Sequence, residues 1–271
     1  MVVPSGSARR RFGNEMRQYR EQTGMSQKEL ASAALLSQTM ISGLERGEKS
    51  TRVEHIARID DALNTNAALA QRWSSLQNYS GVPDWFSDIV LLEQEATGIK
   101  MFHMSVFPGL LQTEDYARAV VQTGRPWYPK ADVDRLVTSR VKRREVLSKS
   151  ERPLLWAVVD EDVVRRTVGG PEITFEQLGY VLELVESQLV QLQVIPDESR
   201  LKPGFDGAFR IMTFRDRPAA VYAEHVTGGE PVHDADKVEE CHMLFGALQA
   251  EALPLAASTD LVRKARGDLY A

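Results

Sequence analysis

Gly24 to Ser50, GMSQKELASAALLSQTMISGLERGEKS, compresses two helical patterns and two caps into one short stretch, and this restricts the fold more than any other feature of the chain. Ser26 precedes Glu29 by three residues, the spacing of a capping box, and Leu30, Ala31 and Ala34 then form one apolar face. The pattern breaks at Ala34-Leu35. Ser37 caps a further helix over Gln38 to Arg46, which Gly47 ends. Three more helical patterns flank this pair. One runs from about Arg10 to Thr23, with Phe12, Met16 and Tyr19 on one side and Gly24 as its stop; another is marked by Val53, Ile56, Ile59 and Leu63; the last is marked by Leu69, Trp73 and Leu76 and ends near Tyr79. The expectation is an all-α N-terminal domain of five helices over residues 1–79.

The outward side of the third helix is short and polar. With Ile41, Leu44 and Met40 turned inward, the helical period leaves Thr39, Ser42, Gly43 and Arg46 facing out. A surface that meets water alone more often carries Lys and Glu. Gln, Thr and Ser side chains can bond base edges and phosphates, and Gly43 would let a partner lie close at a cost of roughly 1 kcal/mol in helix propensity. Such a side fits a DNA major groove. For this helix taken alone, the plain alternative is a solvent-facing surface.

In combination the residues are specific. MRQYREQTGMSQKELA, SQTMISGLERGEKS and VEHIARIDDAL, with Ser26-Gln27, Leu30-Ala31, Ser37, Ile41-Ser42 and Glu45-Arg46-Gly47 at these spacings, resemble the helix-turn-helix domain of the lambda-repressor-like, xenobiotic-response-element family of transcriptional regulators over Phe12 to Leu63. The resemblance implies that the second helix braces the DNA backbone and the third enters the major groove with its N-terminal half. By position it implies Gln27, Ser37, Gln38, Thr39 and Ser42 as DNA contacts. Gln27 and Ser37 sit beside free N–H groups at helix starts, where a phosphate is favoured, and would position the domain. Gln38, Thr39 and Ser42 suit base edges. Arg46 shares the outward side, and Lys49 and Arg52, just past the helix, are expected on phosphates. Glu45 is commonly structural in this family, and Arg20 is placed to pair with it. Two positions depart from the family pattern: Leu35 stands at a turn position that is usually Gly, so the turn avoids a positive φ or accepts strain, and Thr51 stands where Pro is common.

A formal charge of −5 seems to argue against nucleic acid, but the charge is uneven. Residues 1–72 carry 11 Lys/Arg against 8 Asp/Glu, a net of +3, which leaves 22 against 30, a net of −8, for the other 199. Arg9, Arg10 and Arg11 precede the first helical pattern and suit either a flexible arm on a phosphate backbone or a solvated basic terminus. At 271 residues and 43% hydrophobic, the chain is long enough for two globular domains. MVVPSGSA is no secretory signal, and no segment approaches the roughly 18 apolar residues of a membrane span, so a cytoplasmic protein with no membrane contact is expected. Cys241 is the only cysteine, which excludes an internal disulfide and a cysteine-cluster zinc site. The five His fall at spacings that suggest no metal, with His242 beside Cys241 a weak exception, and no glycine-rich phosphate loop asks for a cofactor.

After Tyr79, SGVPDW supplies a Gly-Pro break, and a second domain of α+β class follows over residues 80–271. Helices are expected at Trp85 to Ala96, after a Thr113 cap, and at Asp132 to Ser148, Thr174 to Gln188, Asp234 to Leu248 and Pro254 to Arg266. Strands are expected at Ile99 to Phe107 and in LLWAVVD, LVQLQVIP, GAFRIMTF and AAVYAEHV. LEQEATGI, FPGLLQTEDYARAV, VVDEDVVRRTVGG, EQLGYVLEL and VYAEH resemble the C-terminal domain of actinobacterial regulators described as antitoxin-like. That resemblance implies a transcriptional regulator often encoded beside a small partner protein, and no known ligand or reaction.

Glu161 with Arg165 and Arg166, Glu93 with Glu95, and Glu224 with His225 are the groupings that suit acid-base or anion chemistry. DEDVVRR reads more simply as a helix start, with acids in its first turn and Arg one turn later. Glu93 and Glu95 fall on different helix faces and read as solvated. Glu224 and His225 alternate across a strand, so only one faces the core, and no nucleophile motif stands nearby. The chain therefore reads as no enzyme. The expected protein is a sequence-specific regulator bound to a double-stranded DNA operator as a homodimer, its second domain sensing a small ligand or a small protein encoded by an adjacent gene. The alternative is an antitoxin-like interaction protein that mainly neutralises that partner. Val238, Met243, Leu244, Leu248 and Leu253 offer a dimer surface, or else core against the strands.

Overall fold

The computed structural model describes residues 6–78, 84–199, 203–226 and 228–270. The chain divides into two compact units, Met1–Leu91 and Leu92–Ala271. Tyr79 and the Gly-Pro break expected just after it lie outside the described residues. No helix among those described is long and apolar enough to cross a membrane.

The first unit is helical: α1 (Gly6–Gln22), α2 (Gln27–Ala33), α3 (Gln38–Glu45), α4 (Val53–Leu63) and α5 (Ala68–Asn78). The apolar faces read from the sequence meet in one core, where Phe12 and Met16 of α1, Leu30 of α2, Ile41 and Leu44 of α3, Ile56 and Ile59 of α4 and Trp73 of α5 are all buried. Phe12 and Trp73 pack at a ring-centroid distance of 4.7 Å, and the Trp73 indole Nε1 donates to the Thr51 carbonyl at 3.0 Å. Helix α1 begins earlier than expected. Arg9, Arg10 and Arg11 lie inside it rather than on a flexible arm, because Ser-Ala-Arg-Arg-Arg contains no helix breaker. The α4–α5 turn places Asn64, Asn66 and Ala67 at positive φ, and the buried Asp60 holds it by accepting from Leu69 N at 2.9 Å and Ala70 N at 2.7 Å.

One buried ion pair ties three of these helices together. Arg20 of α1 donates through Nε to Glu45 Oε1 at 2.6 Å and through Nη2 to Glu45 Oε2 at 3.3 Å, while its Nη1 donates to the Met25 carbonyl at 2.7 Å. Both side chains are buried.

Helix α6 (Asp84–Glu95) runs across the division between units. The second unit then contains β1 (Gly98–His103), α7 (Glu114–Gly124), α8 (Lys130–Arg143), β2 (Leu154–Asp160), α9 (Glu161–Arg165), α10 (Pro171–Glu186), β3 (Gln191–Ile195), β4 (Phe209–Thr213), β5 (Ala220–His225), β6 (Gly228–Val232), α11 (Ala235–Glu251) and α12 (Leu255–Asp268). It is an α+β fold around a six-stranded mixed sheet of order β3-β2-β1-β4-β5-β6. β3, β2 and β1 are parallel, joined by helical crossovers; β4, β5 and β6 continue antiparallel from β1. The expected long helix to Ser148 stops at Arg143 and finishes as a 3-10 turn over Arg144–Ser148. β6, GGEPV, is a strand that residue preference argues against; its Gly and Pro are tolerated because it lies at the sheet edge.

On one face of the sheet, Phe102, Phe209, Ile211 and Val221 pack against Val238, Phe245 and Leu248 of α11. Of the five apolar residues read as a dimer surface or else as core, Val238 and Leu248 are therefore core, Leu244 is partly buried against them, Leu253 is half-buried and Met243 is well exposed, at 65%. The opposite face carries charge. Glu93, expected in solvent, is 1% exposed; Arg143 of α8 grips it with both Nε (2.7 Å) and Nη2, and Arg210 of β4 donates to it through Nη1 at 3.3 Å. Its partners lie far along the chain, which is why a local reading of α6 missed them. Arg210 Nη2 also reaches Glu224 at 2.7 Å and His103 Nε2 at 3.5 Å. Burial pushes His103 down to about 4, so the imidazole is neutral. Burial works against the Glu224 charge, yet Arg210 foremost, with His103 and Arg143, holds its carboxyl down at about 2.

Two outcomes are expected of the full chain. Arg20→Met or Glu45→Met should each cost about 3 kcal/mol, because the remaining charge stays buried without its partner, and the double substitution should recover part of the loss; two single variants that melt like the parent would remove the pair from any structural role. His103 binds its proton more weakly folded than unfolded, so acidification from pH 6.5 to about 4 protonates the unfolded chain first and stability falls in that window, with Glu224 adding a further loss from about 4.5 toward 2. Urea-unfolding midpoints between pH 7 and 4.5 should slope less in His103→Gln than in the parent.

Candidate nucleic-acid interface

Two caps position the surface formed by α2 and α3. Ser26 and Glu29 make the reciprocal capping box, Glu29 N donating to Ser26 Oγ at 3.2 Å and Ser26 N to Glu29 Oε2 at 2.8 Å. Ser37 Oγ accepts from Met40 N at 3.1 Å and starts α3. The turn between them accepts strain: Leu35 sits at φ 55° and is 77% exposed, so a left-handed backbone is held by a residue with little packing. Leu36 N donates back to the Ala31 carbonyl at 2.9 Å and closes the turn.

Helix α3 lies on the core through Ile41 and Leu44, leaving its first turn outside. Gln38 and Thr39 are exposed and take no hydrogen bond from another side chain among the described residues. Ser42, half-buried, accepts from Arg46 Nη1. Arg46 Nη2 also meets Glu48 Oε2 at 2.8 Å, and this hydrogen bond holds the Glu48 carboxyl below the usual carboxylate range. Arg46 thus carries its own counter-charge at the surface. Arg52 is exposed at the start of α4.

Two expected contacts sit differently. Gln27 is half-buried, and its Nε2 donates to Glu45 Oε2 at 2.7 Å. It extends the Arg20–Glu45 pair and fastens the first turn of α2 to the end of α3. Gly43 does not present bare backbone to a partner. It is buried beneath the Lys49 stem, where an added Cβ would lie 2.7 Å from Lys49 Cδ. The chain folds back there because Glu48 N and Lys49 N both donate to the Gly43 carbonyl, at 2.9 and 3.1 Å. Lys49 therefore lies along α3 itself.

Arg10, read from the sequence with its neighbours as an arm on a phosphate backbone or a solvated terminus, sits differently, and Glu48 was not among the expected residues. Arg10 is exposed, and its backbone passes Gly47 so closely that a Cβ there would fall 2.5 Å from Arg10 N. This brings the basic N-terminal residues beside the end of α3, a long-range approach with no local signal. Glu48 stands two residues after Arg46, a signal that was available. The resulting surface offers unengaged amide and hydroxyl groups at the N-terminus of α3, with Lys49 along the helix and Arg10 past its other end, a chemistry suited to base edges and phosphates.

The acid-base groupings are engaged structurally. Glu161 pairs with Arg165 and accepts from Asp197 N at 2.9 Å, inside a helix start that Asp160 caps. The carboxylates of Asp160, Asp162 and Asp197 come within 4.8 Å of one another at this same start.

Replacing Leu35 by Gly should remove the left-handed strain and raise stability by about 0.5–1 kcal/mol, less whatever Gly adds to unfolded-chain entropy. Chemical denaturation of the full chain checks it; a loss of stability would mean that Leu35 packs usefully where it stands.

Comparison with known protein families matches residues 11–73 to the family described as "Helix-turn-helix domain". Residues 86–264 match the family described as "Domain of unknown function (DUF5753)". No curated protein matches the chain. Since the second match spans more than half of its length, the chain belongs to the DUF5753 family, with a helix-turn-helix domain preceding that region.

Proposed function

We propose that this protein is a sequence-specific transcriptional regulator of the lambda-repressor-like, xenobiotic-response-element type, that it binds double-stranded operator DNA as a homodimer, and that it is not an enzyme. The observation that carries the reading is the first turn of α3: Gln38 and Thr39 are exposed at a capped helix start, while Ile41 and Leu44 on the same helix are buried. In this reading Gln38 bonds an adenine edge, Thr39 and Ser42 meet neighbouring bases, and Ser37, Lys49, Arg52 and Arg46 take phosphates. Gln27 positions helices and leaves its amide oxygen outside the Glu45 bond.

The second domain, of the antitoxin-like actinobacterial class, senses a small ligand or a small partner protein and supports dimerisation. Sensing of a protein is favoured by one exposed apolar spot: Trp127 is 70% and Val226 is 85% exposed, and Arg125, two residues before Trp127, donates to the Val226 carbonyl at 2.7 Å. A gel shift on the upstream region of its own gene, with and without the product of the adjacent small gene, separates regulation of DNA from neutralisation of a partner.

Gln38→Ala should weaken operator binding by about 1–3 kcal/mol and leave non-specific binding nearly intact, because a base contact is lost and the phosphate contacts remain. Equal losses on operator and random DNA would contradict base reading by Gln38. One short recognition helix gives a small footprint, so a single copy should bind weakly at physiological salt, and binding should rise steeply when two half-sites are offered together. Light scattering of the full chain, followed by titration on one half-site and on the paired site, tests the dimer. A monomer at micromolar concentration that gains nothing from the second half-site rules it out.

A further inference from the structure

The charge cluster on the α8 side of the sheet does not balance. Arg140, Arg143 and Arg210 converge there with two carboxylates, Glu93 and Glu224, and His103 is neutral, so one positive charge is in excess. The surplus falls on Arg140. Arg143 has Glu93, and Arg210 has Glu93 and Glu224. Among the described residues Arg140 makes no contact ion pair, Glu224 attracting it only from beyond contact distance, and its one hydrogen bond runs from Nη1 to the neutral amide oxygen of Gln112 at 3.2 Å. Gln112 is buried, and its Nε2 is committed to the Phe107 carbonyl at 2.6 Å, so the amide is oriented with its oxygen toward Arg140. A second donor is also left over: Arg210 is 3% exposed, and its Nε finds no acceptor among the described residues.

A cation taken out of water without a counter-charge costs several kcal/mol, and a buried donor without an acceptor adds to that. Burial lowers the Arg140 guanidinium to about 10, which leaves it charged at neutral pH. Arg140 and Glu224 are the two members of the cluster that keep some exposure, so its open side is theirs. An arginine that keeps some exposure, backed by two further arginines and held by an oriented amide, has the planar donor fork that recognises carboxylates and phosphates. The fixed orientation comes from FPGLLQT, a motif for which DNA binding provides no use.

We propose that this cluster is a binding site for a small oxyanion, a carboxylate- or phosphate-bearing molecule held chiefly by Arg140. The site names the chemical class for the ligand-sensing part of the proposed function and rests on that reading only for its biological purpose; binding itself is measured without DNA. Melting of the full chain is followed in sodium phosphate and in sodium succinate, each against sodium chloride at equal ionic strength. Phosphate, succinate or both should raise the melting temperature saturably, with a half-effect at a concentration at least about tenfold below that of chloride. Which arm responds identifies phosphate or carboxylate as the better group. Arg140→Met should abolish the response and melt higher than the parent in chloride, since the uncompensated charge is gone, whereas Arg263→Met, an exposed position on α12, should retain the response. Shifts no larger than those in chloride overturn the proposal even if Arg140→Met does not fold, and so does a response that survives in Arg140→Met. Operator affinity with and without the responding anion is a separate titration: saturable anion binding with unchanged DNA affinity keeps the site and removes its role in regulation.

Discussion

The buried Arg20–Glu45 pair is the interaction on which the surface formed by α2 and α3 depends. Glu45 ends α3, Arg20 lies near the end of α1, and Gln27 brings in the first turn of α2, so one carboxylate sets the relation of three helices. A buried ion pair contributes little net stability compared with well-packed apolar residues, but it is satisfied in only one arrangement. Apolar contact among Phe12, Leu30 and Leu44 would tolerate small rotations of α3; the bidentate geometry at Glu45 does not. Close backbone approach enforces the same register. Gly13 of α1 lies so near the end of α3 that a Cβ would come within 2.3 Å of the Leu44 carbonyl oxygen.

Caps and strain act on that frame. Ser26 and Ser37 define where α2 and α3 begin, and the Leu35 turn joins them at the cost of a left-handed residue. The first turn of α3 needs to hold nothing in place, because Ile41, Leu44 and Glu45 already anchor the helix. Gln38 and Thr39 are thereby released from structural duty, and the Arg46–Glu48 pair keeps a strong surface cation partly neutralised beside them. An exposed pair of this kind is worth little energetically.

In the second unit the same kind of interaction is used differently. Glu93 joins α6 to α8 and β4 through Arg143 and Arg210, and Glu224 adds β5, so charge crosses a sheet face where apolar residues would be usual. The opposite face is packed conventionally by α11. Where the first unit's pair balances, this cluster holds three arginines against two carboxylates, and the one hydrogen bond of Arg140 goes to the neutral Gln112 amide.

Much was legible locally. The helix starts at Ser26, Ser37 and Thr113, the stop at Gly47, the inward residues of α1 to α5 and the strand LLWAVVD all follow from spacing and capping over a few residues, where backbone chemistry decides. Tertiary structure alone decided the rest, because it depends on approaches between distant segments. It buried Gly43 beneath Lys49, turned Gln27 onto Glu45 and drew Arg10 to Gly47. It paired Gly229 and Pro231 in an edge strand that residue preference disfavours. It also placed Glu93 beside arginines far along the chain, so that a glutamate which its own helix assigns to solvent became the centre of a buried network. Short-range pattern determines which residues turn inward; which charge waits for them inside is set only when the sheet and its helices close over one another.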